Sequence, residues 1–125
     1  MKLLEDNVRN VLLDMEEHME LHDDWTNEDI MDASRRTKIS IYDYVYTIDS
    51  LLDGGYIIGK RQATMDGYIY MIKSISFNGH QFLDTVGSPE IWRQTKSVTS
   101  KVESVTIEIL SQVATNLISK QLGLN

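Results

Sequence analysis

Two histidines four residues apart, His18 and His22, followed by Asp23 and Asp24, are the residues of this 125-residue sequence whose types and spacing come nearest to metal chemistry. One helical turn would put both imidazoles on one face. The His-Glu-x-x-His order of a zinc hydrolase is missing, and with no cysteine in the chain the remaining ligands would have to be carboxylates, so no metal is assigned. His80, in GHQFLD, suits packing or capping. No glycine-rich phosphate loop, Gly-x-Ser-x-Gly elbow or serine–histidine pairing occurs, and Gly54, Gly55 and Gly59 lack the spacing of a dinucleotide fingerprint. Without an acid/base or nucleophile set, the sequence predicts a protein that is not an enzyme and needs no cofactor.

Recognition chemistry is better represented. Arg35, Arg36 and Lys38 stand just ahead of the stretch Ser40–Asp53, and Lys60 and Arg61 come soon after it; all five are placed to meet phosphates. The alternative is that they are solvated charges. The stretch between them holds Tyr42, Asp43, Tyr46, Asp49, Ser50 and Asp53 at its polar positions, with no arginine, lysine, asparagine or glutamine to read base edges. Tyrosine suits a protein interface, since it offers large contact area with a polar tip, so Tyr42, Asp43, Tyr46 and Asp49 are protein-binding candidates. Tyr56, Tyr68 and Tyr70 complete an aromatic group, part of it core.

The elements that must position these residues follow from periodicity. Leu4, Val8, Val11, Leu12, Met15 and Met19 recur at helical steps and predict a helix over about 4–20. LHDDW breaks it, and Thr26 with Asp29 reads as a capping box opening a short helix to about Ser34, with SRRTK as the turn after it. Ser40 with Asp43 opens the strongest helix, on the apolar set Ile41, Tyr44, Val45, Ile48, Leu51 and Leu52, and Gly54–Gly55 closes it. Residues 56–60 and 68–75 read as strands joined by a loose tip of six or seven residues containing Asp66–Gly67. A helix follows from Ser76, with Gly79 permitting close approach to the sheet. Ser88–Pro89 starts one or two further helical turns, and Ser100 with Glu103 signals a last helix to about Leu122.

Helix, helix, helix, hairpin and helix is the order of a winged helix-turn-helix, so the predicted class is α+β: a winged-helix domain over 1–87 and a C-terminal helical extension over 88–125, packed on the core or on a second subunit. The last helix is rich in β-branched residues of middling helix propensity and depends on packing. Val105, Ile109, Val113 and Leu117 are therefore candidates for a homodimer contact.

Charge is placed unevenly. The net charge is −7, yet residues 1–34 hold eleven acids against Lys2 and Arg9, while the other 91 residues hold ten bases and eight acids. An acidic first third disfavours unaided binding to DNA and gives two readings of its own, a solvated helix face or a mimic of a nucleic-acid backbone. Glu5 and Asp6 replace the apolar core of a signal peptide, no run of eighteen apolar residues occurs, and cysteine is absent, which together predict a cytoplasmic protein without a membrane span.

MKLLEDNVRNVLLDMEEH, YTIDSLLDGGYIIG, SISFNGHQFLDTV, IWRQTK and SVTIEILSQVATNLISKQLGL together resemble the domain-of-unknown-function family 2513, short proteins often found in phages and prophages. The resemblance spans nearly the whole chain, and its most specific parts are GHQFLD followed by IW, and the serine-rich tail helix. LLDGGYIIG is also similar to the YjcQ-like winged-helix proteins. These resemblances imply a winged-helix core, a bacterial host-cell or phage setting in the cytoplasm, and no catalytic residues to carry over. Two functions are open at this point: a binding module for a host or phage protein, for example an antagonist of a defence component, and a dimeric regulator of double-stranded DNA that uses Arg35, Arg36, Lys38, Lys60 and Arg61.

Overall fold

The computed structural model describes residues 1–124. Its elements are α1 (Glu5–His18), α2 (Asn27–Thr37), α3 (Ile41–Asp53), β1 (Ile57–Thr64), β2 (Gly67–Ile75), α4 (Phe77–Val86), α5 (Pro89–Thr99) and α6 (Ile107–Gln121). This is the expected α+β class, a winged-helix-like core with additional C-terminal helices. The chain forms two compact units, Met1–His80 and the part from Gln81 onward.

In the first unit, α1 buries Val8, Val11, Leu12 and Met15, α2 buries Ile30 and Ala33, and α3 buries Tyr44, Thr47, Ile48 and Leu51. The α3 stripe at positions 44, 47, 48 and 51 is the i, i+3, i+4, i+7 pattern of a helix with one core face, narrower than the predicted apolar set. Each fully buried aliphatic side chain here contributes about 1.5–3 kcal/mol. Local chemistry sets the helix ends. Ser40 Oγ accepts from the Asp43 N–H at 3.2 Å. Asp29 Oδ2 accepts from the Thr26 N–H at 2.8 Å. After α3, Gly55 takes φ +77°, which lets the Gly55 and Tyr56 N–H groups reach back to Leu52 and Leu51 carbonyls.

Two expectations fail in this unit. The SRRTK stretch is not a turn: α2 runs on through Thr37, and the reversal is made by Lys38 alone at φ +60°. Arg35 and Arg36 are thus residues of the last turn of α2, where positive charge meets the carbonyl end of the helix. The hairpin tip is not loose either, because β1 pairs with β2 as far as Thr64 opposite Gly67. Only Met65 and Asp66 lie between them. Polar side chains in RQAT hid the end of a strand whose backbone pairs regardless of side-chain polarity.

The ladder has one irregularity, between Ile58 and Gly59, where Ile58 faces Ser74 and Gly59 faces Ile72. Lys73 is the extra residue. A bulge there reverses the inside–outside alternation, so Ile72 and Ile75, three apart, are both buried. Gly59 fits the same irregularity, since a Cβ would come within 2.6 Å of the Met71 carbonyl oxygen. The HDDW linker also joins the sheet: the N–H of Trp25 donates to Ile72 O at 2.8 Å and the N–H of Ile72 to Trp25 O at 2.9 Å. Trp25 therefore makes a one-residue antiparallel bridge to β2. Gly79 at the start of α4 sits so close to the hairpin base that a Cβ would overlap the Tyr56 carbonyl oxygen.

In the second unit α5 and α6 pack together. Ser88 Oγ accepts from the Ile91 N–H at 3.4 Å, and Pro89 starts a helix of three turns, longer than predicted. The predicted start of the last helix at Ser100 is wrong. Ser100 caps the C-terminus of α5, and α6 begins only after Thr106, whose Oγ1 accepts from the Ile109 N–H at 3.2 Å. Ser/Thr–x–x–Glu spacing occurs where a helix stops as well as where one starts. Leu110 and Ala114 are the buried residues of α6.

Candidate functional site

Asp14 ties three helices together. It is buried in α1, yet it is an acid, so its carboxylate must be met by donors. Arg36 of α2 provides a two-pronged pair, Nε to Oδ1 at 2.7 Å and Nη2 to Oδ2 at 2.9 Å. The Tyr44 hydroxyl of α3 donates to Oδ2 at 3.0 Å. His18 Nδ1 lies 3.0 Å from the Asp14 carbonyl oxygen, and the Arg36 guanidinium stacks 5.8 Å from the ring centre of Trp25. Burial, then the Asp14 carboxylate, push the Tyr44 phenol far above its ordinary range. Hydrogen bonding to Asp14 raises the Arg36 guanidinium as well. This constellation is structural, and sequence reasoning, which counted Asp14 only as one of the eleven acids of residues 1–34, missed it. The one signal was its place three residues after Val11, at the margin of the apolar stripe.

A second carboxylate pair joins α3 to the wing. Arg61 on β1 donates to Asp49 Oδ1 and to Asp53 Oδ1, both at 3.0 Å. Its cross-strand neighbour Tyr70 donates its hydroxyl to the same Asp49 oxygen at 2.8 Å. Burial and the Asp49 carboxylate raise the Tyr70 phenol, and Asp49 followed by Asp53 raises Arg61. Asp49 and Asp53 thus hold the hairpin against the helix.

The five candidate phosphate contacts are consequently unequal. Arg36 is committed to Asp14, Arg61 to Asp49 and Asp53, and Arg35 pairs with Asp32 at 3.2 Å on the surface. Lys38 and Lys60 are exposed and meet no carboxylate among the described residues. Of the protein-binding candidates, Tyr42 is 78% exposed, Asp43 and Tyr46 are half-buried, and Asp49 is engaged as described. Of the homodimer candidates, Val105 lies before α6, Ile109 is exposed on its first turn, and Val113 and Leu117 are half-buried. His18 ends α1 and His22 lies beyond it at φ +65°, so the two share no helical face. Among the described residues no group of three histidines or carboxylates is arranged to hold a metal ion. His80 lies 4.0 Å from Glu16 at the surface.

Beside α3 the structure shows an apolar cleft of about 250 Å³ that no sequence signal announced. Ile30 and Met31 of α2, Ile41 and Val45 of α3, and Tyr68 and Tyr70 of β2 line it, with Asn27 at one edge. Asn27 sets the hairpin's position: its Nδ2 donates to Tyr68 O at 2.9 Å, and its Oδ1 accepts from the Tyr70 N–H at 2.7 Å. The cleft explains why Ile41 and Val45 stand outside the narrow core stripe. Its rim is open, with Met31 46% and Tyr68 54% exposed.

The model of the family described as hypothetical protein DUF2513 matches residues 2–106. The chain belongs to the DUF2513 family. The match takes in the whole winged-helix-like unit of this DUF2513 protein together with α4 and α5, and stops at the N-cap of α6. No curated protein and no solved structure matches the chain. The likeness of LLDGGYIIG to the YjcQ-like proteins finds no support in these matches. Among the described residues of this DUF2513 protein, no helix is long and apolar enough to cross a membrane.

Proposed function

We propose that this DUF2513 protein is a non-catalytic winged-helix module that binds another protein, a host or phage factor in the setting that the family resemblance implies, through the exposed side of α3 and the adjoining cleft. The observation that carries this reading is the engagement of Arg36 and Arg61 by the protein's own aspartates. A guanidinium already bonded to two carboxylate oxygens gains little from a phosphate, whereas exposed Tyr42 beside an apolar cleft is the composition of an interface centre. Charge supports it: the unit Met1–His80 holds fifteen acids and eight bases, so the whole net charge of −7 resides there. Such a field repels a polyanion.

The test is capture from host lysate by the intact chain against a Tyr42→Ala, Tyr46→Ala variant, with folding of both checked by circular dichroism. Partners retained by the parent and lost by the variant are expected. A mobility shift with pooled duplexes that weakens steeply with salt, and vanishes in Lys38→Glu, Lys60→Glu, would instead establish the DNA-binding regulator. Arg36 is unsuited to that test, because reversing its charge would also strand buried Asp14.

A further inference from the structure

We propose that the cleft between α2, α3 and β2 is the docking site for a cationic, amphipathic segment of the partner protein, which inserts one large apolar side chain between Met31, Val45 and Tyr68. This rests on the protein-binding reading above and adds the chemistry of the partner.

The cleft's size and lining select a side chain over a small molecule. At about 250 Å³ it falls below the roughly 300–1,000 Å³ of small-molecule sites. Its inner polar groups are already used: both ends of the Asn27 amide bond to the hairpin backbone, and the Tyr70 hydroxyl bonds to Asp49. What remains is an apolar floor with an open rim, which rewards an aliphatic or aromatic anchor and offers no convergent polar groups to orient a metabolite.

The charge of the surrounding helices selects a cationic partner. α3 carries Asp43, Asp49 and Asp53 and no basic residue; Asp49 and Asp53 are held by Arg61 of β1, which leaves Asp43 as its open acid. In α2, Arg35 and Arg36 are each paired with an aspartate, while Glu28 has no cationic partner among the described residues, nor does the Asp43 carboxylate. Lys38, at the junction of the two helices, is the opposing charge. Complementary charge raises the encounter rate and excludes acidic competitors, and the buried anchor then slows dissociation.

The experiment selects displayed random peptides on the intact chain and measures affinities of the enriched sequences by fluorescence anisotropy. The expected sequences are rich in lysine and arginine around one invariant large apolar position. Met31→Glu and Val45→Glu should each weaken binding about tenfold or more, the size expected for loss of one buried apolar contact. That loss would come despite an added negative charge that attracts the peptide, so it isolates the anchor. Met31 lies half in solvent, so its variant serves if the Val45 variant fails to fold. Asp43→Lys should weaken binding more at low salt than at high. Enrichment of acidic or uncharged peptides, unchanged affinity in Met31→Glu, or no enrichment at all would overturn the proposal. If acidic peptides emerge and still require Tyr42, the partner chemistry fails while protein binding stands. If duplex DNA binds and no peptide does, both fail together.

Discussion

Asp14 illustrates how a single buried acid can specify the packing of three helices. Its partners lie 22 and 30 residues away in the chain, so neither contact forms until α1, α2 and α3 are together. Asp14→Ala leaves the Tyr44 hydroxyl without its acceptor and the Arg36 guanidinium without its counter-charge. We expect a loss of about 2–3 kcal/mol in urea unfolding, less than the ~3–5 of a wholly buried pair because Arg36 reaches solvent. Tyr44→Phe, which removes one hydrogen bond, should cost about 1–2 kcal/mol. The same tyrosine gives a pH signature. Its ordinary pKa is 10.0 and the folded value is higher. Above pH 10 the unfolded phenol therefore ionises while the folded one stays protonated, the unfolded state holds fewer protons, and stability falls as pH rises. The slope approaches about 1.4 kcal/mol per pH unit for each such tyrosine. Tyr70 acts in the same direction. Chemical denaturation between pH 9 and 11, a window around the unperturbed phenol pKa of about 10, should show a shallower decline in Tyr44→Phe than in the parent.

The junctions between elements depend on a few positions whose roles differ by mechanism. Gly79 is required by space, since an added Cβ meets the Tyr56 carbonyl and lies 2.6 Å from Ile75 Cγ2. Gly55 is required by conformation and has open space around it. Gly79→Ala should therefore cost more, about 3 kcal/mol against about 1 for Gly55→Ala, as read from thermal unfolding. For α6 the two candidate starts can be separated directly. Thr106→Ala removes the hydroxyl that caps the Ile109 N–H and should cost about 1 kcal/mol, while Ser100→Ala should change stability by a few tenths. A larger effect at Ser100 would return the helix start to the position first expected. Helix starts and stops at Thr26, Ser40, Gly54–Gly55 and Ser88–Pro89 were legible because a cap is made within three or four residues of itself. The length of β1 was not, since its pairing partner supplies what its own side chains do not advertise.

For the molecule as a whole, the placement of charge bears on what the exposed side of α3 can meet. The winged-helix-like unit holds all the net charge of −7, and the aspartates of α3 hold the arginine that enters the wing. Asp49→Asn with Asp53→Asn keeps an acceptor for Tyr70 while freeing Arg61 and removing two negative charges. Short-duplex affinity at low salt should rise about fivefold in that variant, the scale of one added phosphate contact. Tight duplex binding by the parent chain, with no gain in the variant, would show that the aspartates do not restrain Arg61.

From the sequence alone came the α+β class, the winged-helix order of elements, the family resemblance that the match over residues 2–106 supports, and the want of base-reading side chains on α3. All of these are written in spacing and residue type. Tertiary structure alone decided that Asp14 is buried, that Arg36 and Arg61 are engaged by aspartates, that Trp25 pairs with Ile72, and that Ile41, Val45, Met31 and Tyr68 leave a cleft between them. The physical reason is common to the four. Each depends on side chains or backbone groups far apart in the chain that meet only after helices and hairpin have packed, and no local period encodes such a meeting.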